Sequence, residues 1–160
     1  MMLVIADTSP LILLVTIGHI EILPRLFGRV AVPPAVVREL SGSSRSEAVQ
    51  DWITSSPEWL EIRQPQFLLS IPKLHAGETE ALSLAVELHA DLLLVDERRA
   101  FKEAVSRNIN AVGTIRVLER AAAEGMLELA DAFAKVKHTD FWISHKLLDA
   151  RLAMYQQGRE

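Results

Sequence analysis

The chain has no cysteine in its 160 residues. That excludes a disulfide framework, a zinc–thiolate site and a thiol nucleophile, and it fits a reducing compartment. It also lacks a membrane-length apolar run. The start, MMLVIADTSP, has no basic leader and meets Asp7 after a short apolar stretch, so no signal peptide is expected and the chain is read as cytoplasmic. Positive charge is in deficit as well: 17 Lys+Arg against 21 Asp+Glu leave a net charge of −4. A protein that coats nucleic acid is normally basic, so strong non-specific binding is not expected. An enzyme whose acids gather in one cation-loaded pocket is not excluded. Apolar residues at 49% rule out a disordered chain, and the length suits one domain spanning 1–160.

Short apolar runs alternate with helical patterns. Strands are expected at Leu3–Ala6, Val30–Val32, Trp59–Ile62 (an edge), Asp91–Val95 and Asn110–Val112. Thr8-Ser9-Pro10 opens a helix that Leu11–Ile17 carries to Gly18, and Ile20–Leu26 forms a second short one. Pro33-Pro34 opens another helix through Leu40, and one more follows the loop-like SGSSRSEA near Val49–Ile53. Gly77–His89 is helical, with Ala81, Leu84, Ala85 and Leu88 in one stripe. Helices are also expected at Glu97–Ser106, Thr114–Ala123 (ended by Gly125), Met126–Val136 and Phe141–Tyr155, the last with Ile143, Leu147, Ala150 and Met154 as its apolar face. The alternation implies an α/β domain, a mostly parallel sheet covered on both faces.

Acids mark the informative positions. Asp7 and Asp96 directly follow strand-length apolar runs, where active sites collect in open α/β sheets. Glu39 in VPPAVVREL and Glu78 and Glu80 in AGETEALSLA lie on adjoining helices. Hard cations such as Mg²⁺ and Mn²⁺ take oxygen ligands of this kind, and a cluster of carboxylates repels itself without them. Asp7, Glu39, Glu78, Glu80 and Asp96 are therefore candidate metal ligands. Glu78 and Glu80 fall on opposite shoulders of the apolar stripe, and spacing leaves open which is the direct ligand. Taken singly, each acid has a plain alternative: Asp7 and Asp96 as helix caps, Glu39 as a solvated residue, Glu78 and Glu80 as complements to a helix dipole.

Arg98 and Arg99 stand in the first turn of a helix, where positive charge opposes the dipole. With Lys102 they are candidates to hold substrate phosphates; surface solvation, offset by Glu97 and Glu103, is the alternative. Thr8, Ser9 and Thr114 are placed to orient a carboxylate or a phosphate. The five histidines show no metal-ligand spacing and are read as incidental. Trp52, Trp59 and Trp142 are expected to pack in the core.

VIADTSPLI, VPPAVVREL, GETEALSLA, LLLVDERRA and NAVGTIRVLERAAAEGML, in register from Val4 to about Gly158, resemble the PIN-domain nucleases, in particular a branch of small prokaryotic toxin-like proteins. GETEAL also resembles the paired-glutamate motif of flap endonucleases. The resemblance implies a three-layer α/β/α sandwich with a central mostly parallel sheet and a Mg²⁺- or Mn²⁺-dependent ribonuclease site. By position, Asp7, Glu39, Glu80 (alternatively Glu78) and Asp96 match the catalytic acids, and Thr114 matches the polar residue after the last core strand. Two departures stand out: Glu97 where relatives carry a second aspartate, and Arg116 where they carry glycine.

The function this implies is a metal-dependent endoribonuclease, the toxin component of a toxin–antitoxin pair. The expectations that go with it are an RNA substrate contacted by Arg98, Arg99 and Thr114, a small antitoxin partner and a homodimer. The alternative is a catalytically weak PIN-like module that binds nucleic acid or a partner, to which the acidic net charge and Arg116 lend weight. A haloacid-dehalogenase-like phosphatase, the third option, needs an acid two residues after Asp7, where Ser9 stands.

Overall fold

Val4–Ala6 forms β1, Val30–Val32 β2, Leu60–Ile62 β3, Leu92–Leu94 β4 and Ala111–Val112 β5. In the computed structural model, which describes residues 2–158, these pair in the order β3-β2-β1-β4-β5, and every pairing is parallel. The register sets Val4 beside Val30 and Leu92, and Ala6 beside Leu94. Ile5, Ala31 and Leu93 share one face of the pleat and join Ala81, Leu82, Leu84 and Ala85 in a buried cluster. The alternate residues Val4, Val30, Val32 and Leu94 are buried on the opposite face. A sheet apolar on both faces needs helices on both, and the architecture is a three-layer α/β/α fold.

Between β1 and β2 run α1 (Thr8–Thr16) and α2 (Ile22–Phe27); between β2 and β3 run α3 (Pro34–Leu40) and α4 (Glu47–Thr54). The helices α5 (Ala76–Leu88) and α6 (Arg98–Ser106) precede and follow β4. Right-handed crossovers place the first two connections on one face and the last two on the other. The chain reverses direction between β1 and β4, which makes their C-terminal ends the topological switch point. Asp7 and Asp96 follow those two ends.

Local chemistry accounts for several boundaries. Thr8 already begins α1, so Pro10 is its third residue, still inside the first turn where N–H groups have no helical partner. Pro34 is the first residue of α3, preceded by extended Pro33. Ser46 caps α4 at the Val49 N–H.

The chain divides into two compact units, the second beginning at Ile115. Its elements are α7 (Thr114–Ala123, whose first residue lies in the first unit), α8 (Leu129–Lys137) and α9 (His145–Gly158). Within it α8 packs on α9, Arg151 of α9 pairs with Glu119 of α7, and Lys137 pairs with Asp149. Several sequence expectations change here. The helix near the end starts at His145 because Ser144 caps it at the Leu147 N–H, so Ile143 precedes it. Leu148, not Leu147 or Met154, is its buried residue; Leu147 is 48% and Met154 71% exposed. Trp142, expected in the core, is 96% exposed, whereas Trp52 and Trp59 are half-buried with ring centroids 5.9 Å apart.

Candidate active site

The described buried polar side chains are Asp7, Thr8, Glu78, Ser83 and Thr114, and all but Ser83 lie just after β1 or β5 or in the first turn of α5. Burying polar groups costs free energy unless they are satisfied, so this concentration marks the place where the fold departs from its apolar interior.

Asp7 is 1% exposed and stands at the N-cap position of α1, yet its side chain makes no cap hydrogen bond. Its Oδ1 is buried with no hydrogen-bond partner among the described residues. The plain cap reading therefore does not account for it. Burial, reinforced by the charges of Glu78 and Glu39, pushes the Asp7 carboxyl up to about 7, against the opposing pull of the Thr8 backbone and His75.

Glu39 reaches this acid from α3. Its Oε1 accepts a 2.6 Å hydrogen bond from the Thr8 hydroxyl and its Oε2 a 2.7 Å bond from the Gly77 N–H. It is not the solvated surface residue its position alone suggests. A Cβ at Gly77 would fall 2.6 Å from Glu39 Oε2, so only glycine leaves room for the carboxylate there. Asp96 has a similar seat. Its two oxygens accept from the Thr114 N–H at 2.7 Å and the Thr114 hydroxyl at 2.6 Å, and a Cβ at Gly113 would meet its Oδ1 at 3.1 Å. Burial raises the Asp96 carboxyl above the usual range, opposed by those two bonds.

The two glutamates of AGETEAL separate. Glu78 is 4% exposed, and burial raises its carboxyl above the usual value. His75 opposes that rise, while Glu97 and Glu39 add to it. Glu78 Oε1 accepts from the His75 N–H at 3.3 Å, and its Oε2 lies 3.0 Å from His75 Nε2. Glu80 turns elsewhere: its Oε1 accepts from the Ala35 N–H at the start of α3, and Arg38 pairs with its Oε2 at 3.4 Å. The structure thus groups Asp7, Glu39 and Glu78 and leaves Glu80 tying α5 to α3.

His75, read as incidental from spacing, stands between Glu78 and Glu39, with Nδ1 3.7 Å from Glu39 Oε2. It is the N-cap of α5 and faces Glu78 across one turn, a helix-start pairing that a search for metal-ligand spacing does not register. Thr114 is fully buried with both donors turned to Asp96, so here it orients that carboxylate. Arg98 and Arg99 are exposed on the first turn of α6, and Glu97 caps that helix through a 2.7 Å bond from the Ala100 N–H.

A family model described as PIN domain (DUF3368) matches residues 3–157, through both units. The chain belongs to the PIN-domain family. Its fold is similar to that of a PilT N-terminus domain protein from the hyperthermophilic archaeon Sulfolobus solfataricus P2, with a TM-score of 0.54 and 16% identity over 75% of this chain and 93% of that one. At that identity the likeness concerns the fold alone. No curated protein matches the sequence. PIN domains are generally nucleases, and members of the family commonly use divalent metals. Among the described residues no helix of this PIN domain is long and apolar enough to cross a membrane.

Proposed function

We infer that this PIN domain is a metal-dependent endoribonuclease that uses Mg²⁺ or Mn²⁺ to hydrolyse RNA phosphodiester bonds. The observation that carries the reading is the unpartnered, buried Oδ1 of Asp7 beside two further carboxylates at the switch point of the sheet. An aspartate in that state costs stability unless something binds it.

The donor set fits a hard cation. Asp7 and Glu78 would hold it, with Glu39 and Asp96 beside them in fixed orientations. Among the described residues no three His, Asp or Glu side chains converge as a ready-made cage. Mg²⁺ does not require one, because it usually keeps several waters and takes one or two carboxylates plus substrate phosphate. When bound, the cation supplies Lewis acidity that lowers the pKa of a water and offsets charge on the phosphate.

The chain's own residues do the rest. Thr8 and Gly77 hold Glu39, Thr114 holds Asp96, and Arg98 and Arg99 neutralise the substrate's phosphate oxygens. Water attacks phosphorus, and the bond to the leaving oxygen breaks. Within this reading the chain is the toxin of a toxin–antitoxin pair, restrained by a small protein and assembled as a homodimer, which the family resemblance supports.

One observation favours a binding module with little catalysis: both oxygens of Glu39 and of Asp96 are already engaged within the chain. The test is cleavage of a structured RNA pool with Mn²⁺ or Mg²⁺. Cutting that stops in EDTA and in Asp7→Asn supports the nuclease. RNA binding without cutting by folded, metal-loaded protein supports the binding module.

A further inference from the structure

Asp96 sits at one end of a groove of about 550 Å³ along α6, lined otherwise by Arg98, Phe101, Lys102, Val105 and Ser106. Positions 98, 101, 102, 105 and 106 recur at helical spacing and make one face of α6, about 12 Å long at 1.5 Å per residue. The opposite face, Ala100 and Ala104, is fully buried. Phe101 leans on the core cluster, whereas Val105 is 55% exposed. Among the described residues, the side chains of Arg98 and Lys102 have no ion-pair or hydrogen-bond partner, although Arg107, just past the end of the helix, pairs with Glu103. The groove therefore has an apolar floor, two uncommitted cations and a carboxylate of the candidate site at its mouth.

The polar atoms carry a direction. Lys102 offers only donors. The Ser106 hydroxyl gives its proton to the Glu103 carbonyl at 2.8 Å, which leaves its oxygen lone pairs as an acceptor. Lys102 and Ser106 are four residues apart and so adjacent on the helix surface. The groove thus shows a donor beside an acceptor above an apolar floor.

We propose that this groove is a base-binding subsite that selects an unpaired keto base, uracil or guanine, next to the scissile phosphate. A keto base presents an acceptor oxygen beside a ring N–H, matching Lys102 and Ser106 in that order. Cytosine and adenine present an amino donor beside a ring acceptor, the reverse polarity, so both contacts become mismatches. Phe101 and Val105 take the ring, and Arg98, one turn nearer Asp96, takes the phosphate that follows. Lys102 and Ser106 are specificity residues for the reaction inferred above, and the assignment rests on that reading.

The probes are short single-stranded oligonucleotides of uracil or of cytosine, which are both pyrimidines and differ in the polarity of this edge. Binding is measured by fluorescence anisotropy in EDTA, and cleavage is mapped separately with Mn²⁺ on strands that place either base beside the cut. Uracil is expected to be favoured about tenfold in both assays. Lys102→Glu should reverse the order by turning a donor into an acceptor, and Ser106→Ala should shrink the preference. Lys135→Glu, the same charge change on α8, should leave it intact. Equal binding and cleavage of the two, or a uracil preference unchanged in Lys102→Glu, overturns the subsite while leaving any metal-dependent cleavage standing. Base-selective binding that follows the variants without any cutting keeps the subsite and removes the nuclease. Neither selectivity nor cutting removes both.

Discussion

Replacing Gly77 with alanine adds one methyl group in the first turn of α5, with a small consequence for the fold and a large one for the site. The new Cβ would lie 2.6 Å from Glu39 Oε2 and 2.7 Å from its Cδ. To restore ordinary contact the carboxylate must retreat by about 1 Å, a distance at which repulsion gives way to attraction. It is the free end of a flexible side chain, so the backbone need not move. The retreat gives up the bond from the Gly77 N–H and stretches the one from the Thr8 hydroxyl. Losing one charge-assisted bond at a partly solvated site costs about 2 kcal/mol, and the gain in helix propensity from glycine to alanine returns about 1 kcal/mol. The melting temperature should therefore fall by only about 2–4 °C. Activity should fall far more, because a displacement of about 1 Å in a catalytic group costs on the order of 100-fold. Thermal denaturation and initial cleavage rates on the same preparation separate the two effects. Cleavage by Gly77→Ala within a factor of about two of wild type, or failure of the variant to fold, would contradict this coupling of Gly77 to Glu39.

Asp7→Asn in metal-free protein tests the burial of that acid. Its carboxyl is raised from 3.8 to about 7, so the folded chain holds a proton that the unfolded chain has released, and stability falls as pH rises through that window. The wild type thus forgoes on the order of 4 kcal/mol at pH 8, as an upper bound, and Asn should raise the melting temperature there with a gain that fades towards pH 4. A gain independent of pH would contradict this. Added Mn²⁺ should raise the melting temperature of wild type but not of Asp7→Asn, since only a competent site is stabilised by ligand. Glu78 and Glu80 should part company: Glu78→Gln loses about 100-fold or more in activity with its fold intact, while Glu80→Ala lowers stability by about 1–2 kcal/mol through the uncapped Ala35 N–H. Equal losses of activity in both would sink the assignment.

Asp7 and Asp96 were legible because each follows a short apolar strand, and the end of a parallel strand is a local signal. The strands themselves were legible for the same reason. The partners of Glu39 were not, because Thr8 and Gly77 are 31 and 38 residues away in sequence and meet it only through packing of α3 on α1 and α5. Nor could spacing choose between Glu78 and Glu80: helix phase places them on two shoulders, and the position of α3 decides which shoulder meets Asp7. The glycines at 77 and 113 are small for the sake of a carboxylate, not a turn, and only the neighbouring side chain reveals that. The outward apolar face of α9 has a similar cause. Periodicity counted Ile143 into the helix, but Ser144 caps it, and Leu148 supplies the buried contact instead.

The most direct test of the central claim is cleavage of RNA by purified protein with Mn²⁺, repeated in EDTA and with Asp7→Asn. A metal-dependent nuclease centred on Asp7 cuts in the first condition and not in the other two, with Asp7→Asn remaining folded. Cutting that persists in EDTA or in the variant, or none by folded wild type with metal, would contradict it.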